Sequence, residues 1–231
     1  MLLLKKPNKI LKKLSIGELY MNLEEASRYI NSLYGKRGVN REEYIESTEL
    51  EKFGSIVDED VSRALQVLFY LTRPQNVLEI GTSIGYSTVS MATVVKGYGG
   101  KITTIEYDEN VAEQAIKNFK REGVAETIEV KTGDAQKIIP QIESERFDSI
   151  FQDVGDKRLY PLLFDDCIRV LKPGGLLVAE DTLFPVMNRF KKSHEELIES
   201  INKFNQMVAD DPRLESTILS IGDGLTVAIK K

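Results

Sequence analysis

The chain has no tryptophan, one cysteine (Cys167) and one histidine (His194) in its 231 residues. A single cysteine excludes an intramolecular disulfide framework and fits a reducing compartment. Cys167 lies in DDCIRVL, where a buried small hydrophobe is the expected role. A single histidine excludes a zinc centre built on several imidazoles. It sits beside Lys191, Lys192 and Glu195, a surface setting that does not suggest a histidine-based nucleophile triad. No apolar run approaches the ~20 residues of a membrane span. The opening MLLLKK has too short an apolar core for a signal peptide, and its lysines follow that core. These absences predict a cytoplasmic protein without a membrane partner.

What is present is ordinary for a soluble globular chain: 42% hydrophobic and 29% charged residues, with ample material for a core. The length suits one domain with an N-terminal extension. The net charge of -5 is unevenly spread, because Lys5, Lys6, Lys9, Lys12 and Lys13 all precede the first acid, Glu18. The remaining body is therefore more acidic than the net figure, which argues against DNA. The lysine arm reads as a solvated terminus, with RNA or a membrane surface as alternative contacts.

Apolar spacing of three and four predicts helices over 16–33, 41–53 and from Asp58 to Pro74. From Val77 strands and helices alternate. Strands are expected at 77–80, 101–107, 127–131, 147–153 and 176–179, with helices at 109–121, 157–171 and 193–209. Segments 214–221 and 225–230 form a closing hairpin across Gly222-Asp223-Gly224. Such alternation means an α/β fold with a mainly parallel sheet, and ligands at the carboxyl ends of its strands.

The segment VLEIGTSIGYST, Val77 to Thr88, reads as a buried strand, a glycine turn and a helix start. That helix start offers free N–H groups to a polar or anionic ligand. Glu79 is an acid within an apolar run and requires a cationic or hydrogen-bonding partner. The G-x-x-x-G spacing differs from the G-x-G-x-x-G of dinucleotide binders, and this spacing and the terminal hairpin disfavour a nicotinamide oxidoreductase. Acids mark the end of every parallel strand: Glu79, Glu106, Asp134, Asp153 and Glu180-Asp181. An acid such as Glu106 can accept two ribose hydroxyls. So many like charges around one crevice raise each other's pKa unless a cation sits among them.

The motifs LEIGTSIGYST, TTIEYDE, TGDA, FDSIFQD…KRLY and VLKPGGLLVAEDTLF, with the tail from Phe204 to Lys231, resemble the cation-dependent S-adenosylmethionine O-methyltransferases. That family includes catechol and caffeoyl-CoA O-methyltransferases and bacterial relatives that methylate a hydroxyuridine in tRNA. The resemblance implies a Rossmann-like class I methyltransferase fold. Its seven-stranded, mainly parallel sheet would span 56–231, with an antiparallel C-terminal hairpin. Residues 1–55 would be a helical extension that caps the sheet, the substrate region or a homodimer face.

Carried over by position, Glu79, Gly81, Thr82 and Ser87 would hold the amino-acid part of S-adenosylmethionine, with Ser83 and Gly85 shaping the turn. Glu106 would bind the ribose, and Asp134 and Ala135 would border the adenine. Asp153, which also reaches the cofactor region, would bind a divalent cation with Glu180 and Asp181, Mg²⁺ first and Mn²⁺ or Ca²⁺ as alternatives. Lys157 would be the general base. Two departures stand out. The family has Asp-Asn where this chain has Glu180-Asp181, and its lysine follows the first metal aspartate by three residues rather than four. On a helix the extra residue would swing Lys157 by about 100°, unless Gly155 absorbs it. Asp156 is then a substitute ligand to consider. Phe184, Tyr160 and Tyr86 are either core aromatics or pocket walls.

The implied reaction is methyl transfer to a hydroxyl of a catechol-like small molecule. The alternatives are a hydroxylated tRNA base and a non-catalytic S-adenosylmethionine-binding protein. The extra acid predicts tight cation binding and, without metal, a proton on one of the three acids.

Overall fold

The computed structural model describes residues 23–34, 38–187 and 194–231. The lysine arm, the first residues of the helix expected from Ile16, and Lys191 and Lys192 lie outside the described residues.

Seven strands build one sheet. Parallel pairing joins β1 (Asn76–Ile80), β2 (Lys101–Glu106), β3 (Ile128–Thr132), β4 (Phe147–Gln152) and β5 (Leu171–Ala179). The terminal hairpin, β6 (Leu214–Leu219) and β7 (Leu225–Lys230), adds on antiparallel, and the order is β3-β2-β1-β4-β5-β7-β6. Central strands covered on both faces must be apolar on both faces. Leu78, Ile80, Ile150, Leu177 and Ala179 pack one way, against α7 (Leu159–Val170) and α8 (Glu195–Asp210). Val77, Phe151, Leu176 and Val178 pack the other way, against α3 (Glu59–Thr72), α4 (Tyr86–Val95) and α5 (Glu109–Arg121).

The N-terminal elements are α1 (Leu23–Tyr34) and α2 (Arg41–Glu46). The second is shorter than its apolar spacing predicts. The hydroxyls of Ser47 and Thr48 each donate to the Tyr44 carbonyl at 3.0 Å, the kind of local competition that ends a helix. The segment after it lies on the glycine turn. Tyr44 donates to the Ile84 carbonyl, and Ser83 to the Gly54 carbonyl. Arg41 donates to the Ile56 and Val57 carbonyls. Tyr29 and Leu33 of α1, and Val67, Tyr70 and Leu71 of α3, are exposed. Among the described residues no helix is long and apolar enough to cross a membrane.

Two further differences from expectation have local causes. β5 begins at Leu171, because Leu171 pairs with Phe147 and Leu176 with Ser149. Lys172-Pro173-Gly174-Gly175 is therefore an irregularity within the strand pairing. A single helical turn, α6 (Ala135–Ile138), follows β3. The Asp134 carboxylate caps it by accepting the Gln136 N–H at 2.9 Å.

Candidate active site

The glycine turn starts where β1 ends. Gly81 has φ 97° and Gly85 has φ 88°, backbone conformations that favour glycine. A Cβ on Gly85 would lie 2.3 Å from the Phe119 ring, so close packing of α5 also requires glycine there. Gly85 opens α4, a ten-residue helix whose N-terminus faces the turn. At the end of β2, Glu106 accepts the N–H groups of Ser83 (2.8 Å) and Asp108 (3.1 Å), one on each oxygen. A carboxylate has lone pairs to spare after two bonds, so Glu106 remains fit to receive ribose hydroxyls.

Glu79 is fully buried beneath the turn. Ser87 donates to one of its oxygens at 2.6 Å, and Thr88 and Thr104 donate to the other. Thr104 is in turn 2.6 Å from the Thr82 hydroxyl. Three of the residues expected to touch the cofactor, Glu79, Thr82 and Ser87, thus spend their side chains on an internal network that ties β1, β2 and α4 together. Thr88 and Thr104 complete it, and no local sequence signal marks them.

Burial pushes the Glu79 carboxyl up to about 7, against the pull of the three hydroxyls and with a further push from Asp153. Raising an acid's pKa in the folded state favours its protonated form. The associated stability is complete below the ordinary value near 4.5 and is lost as pH rises through about 7. Between pH 5 and pH 8 the wild-type protein is therefore expected to lose about 2–3 kcal/mol relative to Glu79→Gln, which cannot ionise. Urea unfolding at the two pH values measures this, and parallel pH dependences for the two proteins would refute it.

The second half of the site lies one strand away. Asp153 follows β4, and its N–H still donates to the Ile80 carbonyl at 2.9 Å. Glu180 follows β5, and its N–H donates to the Gln152 carbonyl at 3.1 Å. The parallel ladder therefore sets both acids at one edge, and Asp181 joins them with φ 63°. A non-glycine residue held in this region stores strain, as functional sites often do. Oxygens of Asp153, Glu180 and Asp181 all lie within 4.8 Å of one another.

Lys157 is the cation among them. Its ammonium is buried, pairs with Asp181, and lies 3.4 Å from Asp153. Burial lowers its pKa, but the anionic surroundings win and hold it well above the usual lysine value. Burial raises Asp153 to about 6, with Asp181 adding and Lys157 opposing. Burial, then Asp181 and Asp153, raise Glu180 well above the ordinary carboxylate range. An oxygen-only donor set of this kind suits a hard divalent cation, and the three residues fit one.

The shifted lysine has a simple explanation. α7 begins at Leu159, so Lys157 precedes the helix and the 100° helical argument does not apply; the loop through Gly155 absorbs the extra residue. Asp156 is not a substitute ligand: its carboxylate binds Arg158 at 2.7–3.1 Å, outside the acid cluster.

The remaining expectations sort themselves by place. Phe184 is buried with Lys157 Nζ 5.6 Å from its ring centre, and the Tyr160 hydroxyl is 3.2 Å from the same Nζ. Tyr86 belongs to the opposite core and donates to the Val39 carbonyl. Asp134 caps α6, and Ala135 is buried beside it. His194 is exposed. Burial pushes the Cys167 thiol up to about 12, which rules out a thiolate at neutral pH.

The two half-sites share a wall. A Cβ on Gly81 would stand 1.9 Å from the Asp153 carbonyl oxygen. The glycine turn and the acid cluster are therefore in backbone contact across β1 and β4.

Residues 41–231 match the profile of a family described as O-methyltransferase. A catechol O-methyltransferase from Niastella koreensis is 34% identical over 183 residues, covering 76% of this chain and 82% of the relative. A caffeoyl-CoA O-methyltransferase from Populus kitakamiensis is 28% identical over 214 residues, covering 86% and 89%. Among solved structures, an O-methyltransferase from Bacillus cereus in complex with SAH superposes with a TM-score of 0.78 at 26% identity, covering 90% of this chain and 97% of that one.

Proposed function

Because the chain belongs to the O-methyltransferase family, we propose that it transfers a methyl group from S-adenosylmethionine to a hydroxyl of a catechol-like small molecule, with a divalent cation bound by Asp153, Glu180 and Asp181. The observation that carries this reading is the shared wall of Gly81 and Asp153. It sets a cofactor turn directly beside an acid cluster with a buried lysine. Methyl transfer needs donor and acceptor aligned at close range, and a wall common to both half-sites meets that need.

The chain's residues divide the work. The turn from Gly81 to Gly85 and the N-terminus of α4 receive the polar end of the cofactor, with Ser83 shaping the turn. Glu79, Thr82 and Ser87 hold that turn rigid from below. Glu106 accepts the ribose hydroxyls, and Asp134 and Ala135 border the base. A bound cation supplies charge that positions two adjacent acceptor oxygens and lowers the pKa of their hydroxyls. Lys157 takes the acceptor proton at Nζ, which requires a neutral amine. Its ion pairs with Asp153 and Asp181 hold the ammonium form. The two aspartates free the amine when they act as ligands instead. Phe184 covers the lysine and excludes water.

The test is methyl transfer from labelled S-adenosylmethionine to a 3,4-dihydroxyphenyl compound, with Mg²⁺ and with excess EDTA. Turnover with Mg²⁺ that EDTA abolishes is the expected result. Cofactor binding without turnover would overturn the small-molecule reading, and turnover indifferent to EDTA would overturn the cation's part in it.

A further inference from the structure

Lys157 carries a long flexible stem, yet the reaction assigned to it needs its nitrogen to face the acids and not the core. Asp153 and Asp181 hold it from one side. Its further polar neighbour is Tyr160, wholly buried. Its ring is fixed edge-on against Phe204, centroids 5.2 Å apart at 90°, and Phe204 is itself braced by Phe164.

The Tyr160 hydroxyl meets three groups: the Glu180 carbonyl at 3.0 Å, the Gln152 carbonyl at 3.3 Å and Lys157 Nζ at 3.2 Å. A phenol has one proton to give. Both carbonyls only accept, so the proton goes to one of them, and Glu180 is the nearer. Toward Lys157 the hydroxyl is then left as an acceptor only. It takes one N–H of the lysine, whether ammonium or amine, and turns any free lone pair away from itself. The bond to the Glu180 carbonyl also fastens the tyrosine to the end of β5.

Resting on the function proposed above, we propose that Tyr160 is a positioning residue for methyl transfer: its hydroxyl, committed to the Glu180 carbonyl, accepts an N–H of Lys157 and aims that nitrogen at the Asp153–Asp181 side of the site. The residue acts through the lysine and does not touch the acceptor.

Tyr160→Phe removes one oxygen and keeps the ring. Expected is a kcat lower by about 10- to 100-fold, the scale of a misplaced catalytic group. KM values for both substrates and the Mg²⁺ dissociation constant should stay within about three-fold, because uniform binding is untouched. An unchanged kcat, or a loss that appears only in KM, would overturn the proposal.

A second readout does not depend on turnover. In ¹⁵N-lysine-labelled, metal-free protein, the side-chain N–H signal that vanishes in Lys157→Gln belongs to Lys157. Its exchange with water should be at least about ten-fold faster in Tyr160→Phe than in wild type, as a lost hydrogen bond of ~1.4 kcal/mol implies. Equal exchange overturns the proposal even if the wild-type enzyme turns over no catechol. Faster exchange without wild-type turnover sustains the positioning and condemns only the assigned reaction. If Tyr160→Phe fails to fold, 3-fluorotyrosine at 160 keeps ring and hydroxyl while weakening the oxygen as an acceptor. It should show the same direction of change in both readouts, and wild-type values would refute the proposal.

Discussion

Asp153→Asn is expected to lower kcat/KM for methyl transfer by about three orders of magnitude or more, while the metal-free protein remains as stable as the wild type. Asp153 is the acid that both half-sites share. Its carboxylate faces Glu180, Asp181 and Lys157, and its backbone touches Gly81. A cation that polarises an acceptor oxygen is worth several kcal/mol of transition-state stabilisation, and about 4 kcal/mol corresponds to ~10³ in rate. Removing one of three anionic ligands forfeits most of that.

Stability runs the other way. Burial and the neighbouring acids hold Asp153 at about 6 and Glu180 higher still, so these crowded charges cost folding free energy at neutral pH. Replacing one by a neutral amide relieves that cost, the usual trade of stability against function. Steady-state kinetics at saturating Mg²⁺, with thermal melting in EDTA, tests both halves. Activity within ten-fold of wild type would remove Asp153 from the cation site.

Gly81→Ala is expected to cost about 3–5 kcal/mol and to lower the melting temperature by roughly 10 °C, with loss of cofactor binding. The added Cβ would meet the Asp153 carbonyl oxygen at 1.9 Å and its carbon at 2.7 Å. These are backbone atoms and cannot swing aside as a side chain can. Neither partner is free to drift, because the Gly81 N–H donates to Ile105 and the Asp153 N–H to Ile80. The φ of 97° adds the strain that any side chain meets there. Gly99→Ala separates the two effects. Gly99 also has a positive φ, 82°, but nothing lies within 4 Å of its Cβ position, so only ~1 kcal/mol is expected. Urea unfolding of the two variants decides the matter: similar losses would mean that the contact between the half-sites contributes nothing.

Much of this architecture is written in short-range patterns. Unbroken apolar strands such as Leu176–Ala179, alternating with amphipathic helices, predicted a parallel sheet with its ligand edge at the carboxyl ends. The helix expected over 109–121 forms at those bounds as α5, where the Asp108 carboxylate accepts the N–H groups of Asn110 and Val111. Glu79, Glu106 and Glu180 were visible because each interrupts or ends an apolar stretch. These features depend on residues a few positions apart, which is the range over which periodicity and capping operate.

Other features depend on which strands lie side by side, and no local pattern carries that. Glu79 finds Ser87, Thr88 and Thr104 because β2 pairs beside β1 and α4 folds back over it. Asp156 looked eligible as a ligand by its place in sequence, yet an arginine two residues on claims its carboxylate. Lys157 reaches Asp181, 24 positions away, because β4 and β5 are in parallel register and the lysine precedes the helix. By itself the sequence determined the elements, their α/β alternation and the chemical types available at the strand ends. The tertiary structure alone decided which carboxylates meet, how far burial raises them and where the lysine points. Burial and charge proximity are properties of residues brought together across strands, and a chain read in order shows neither.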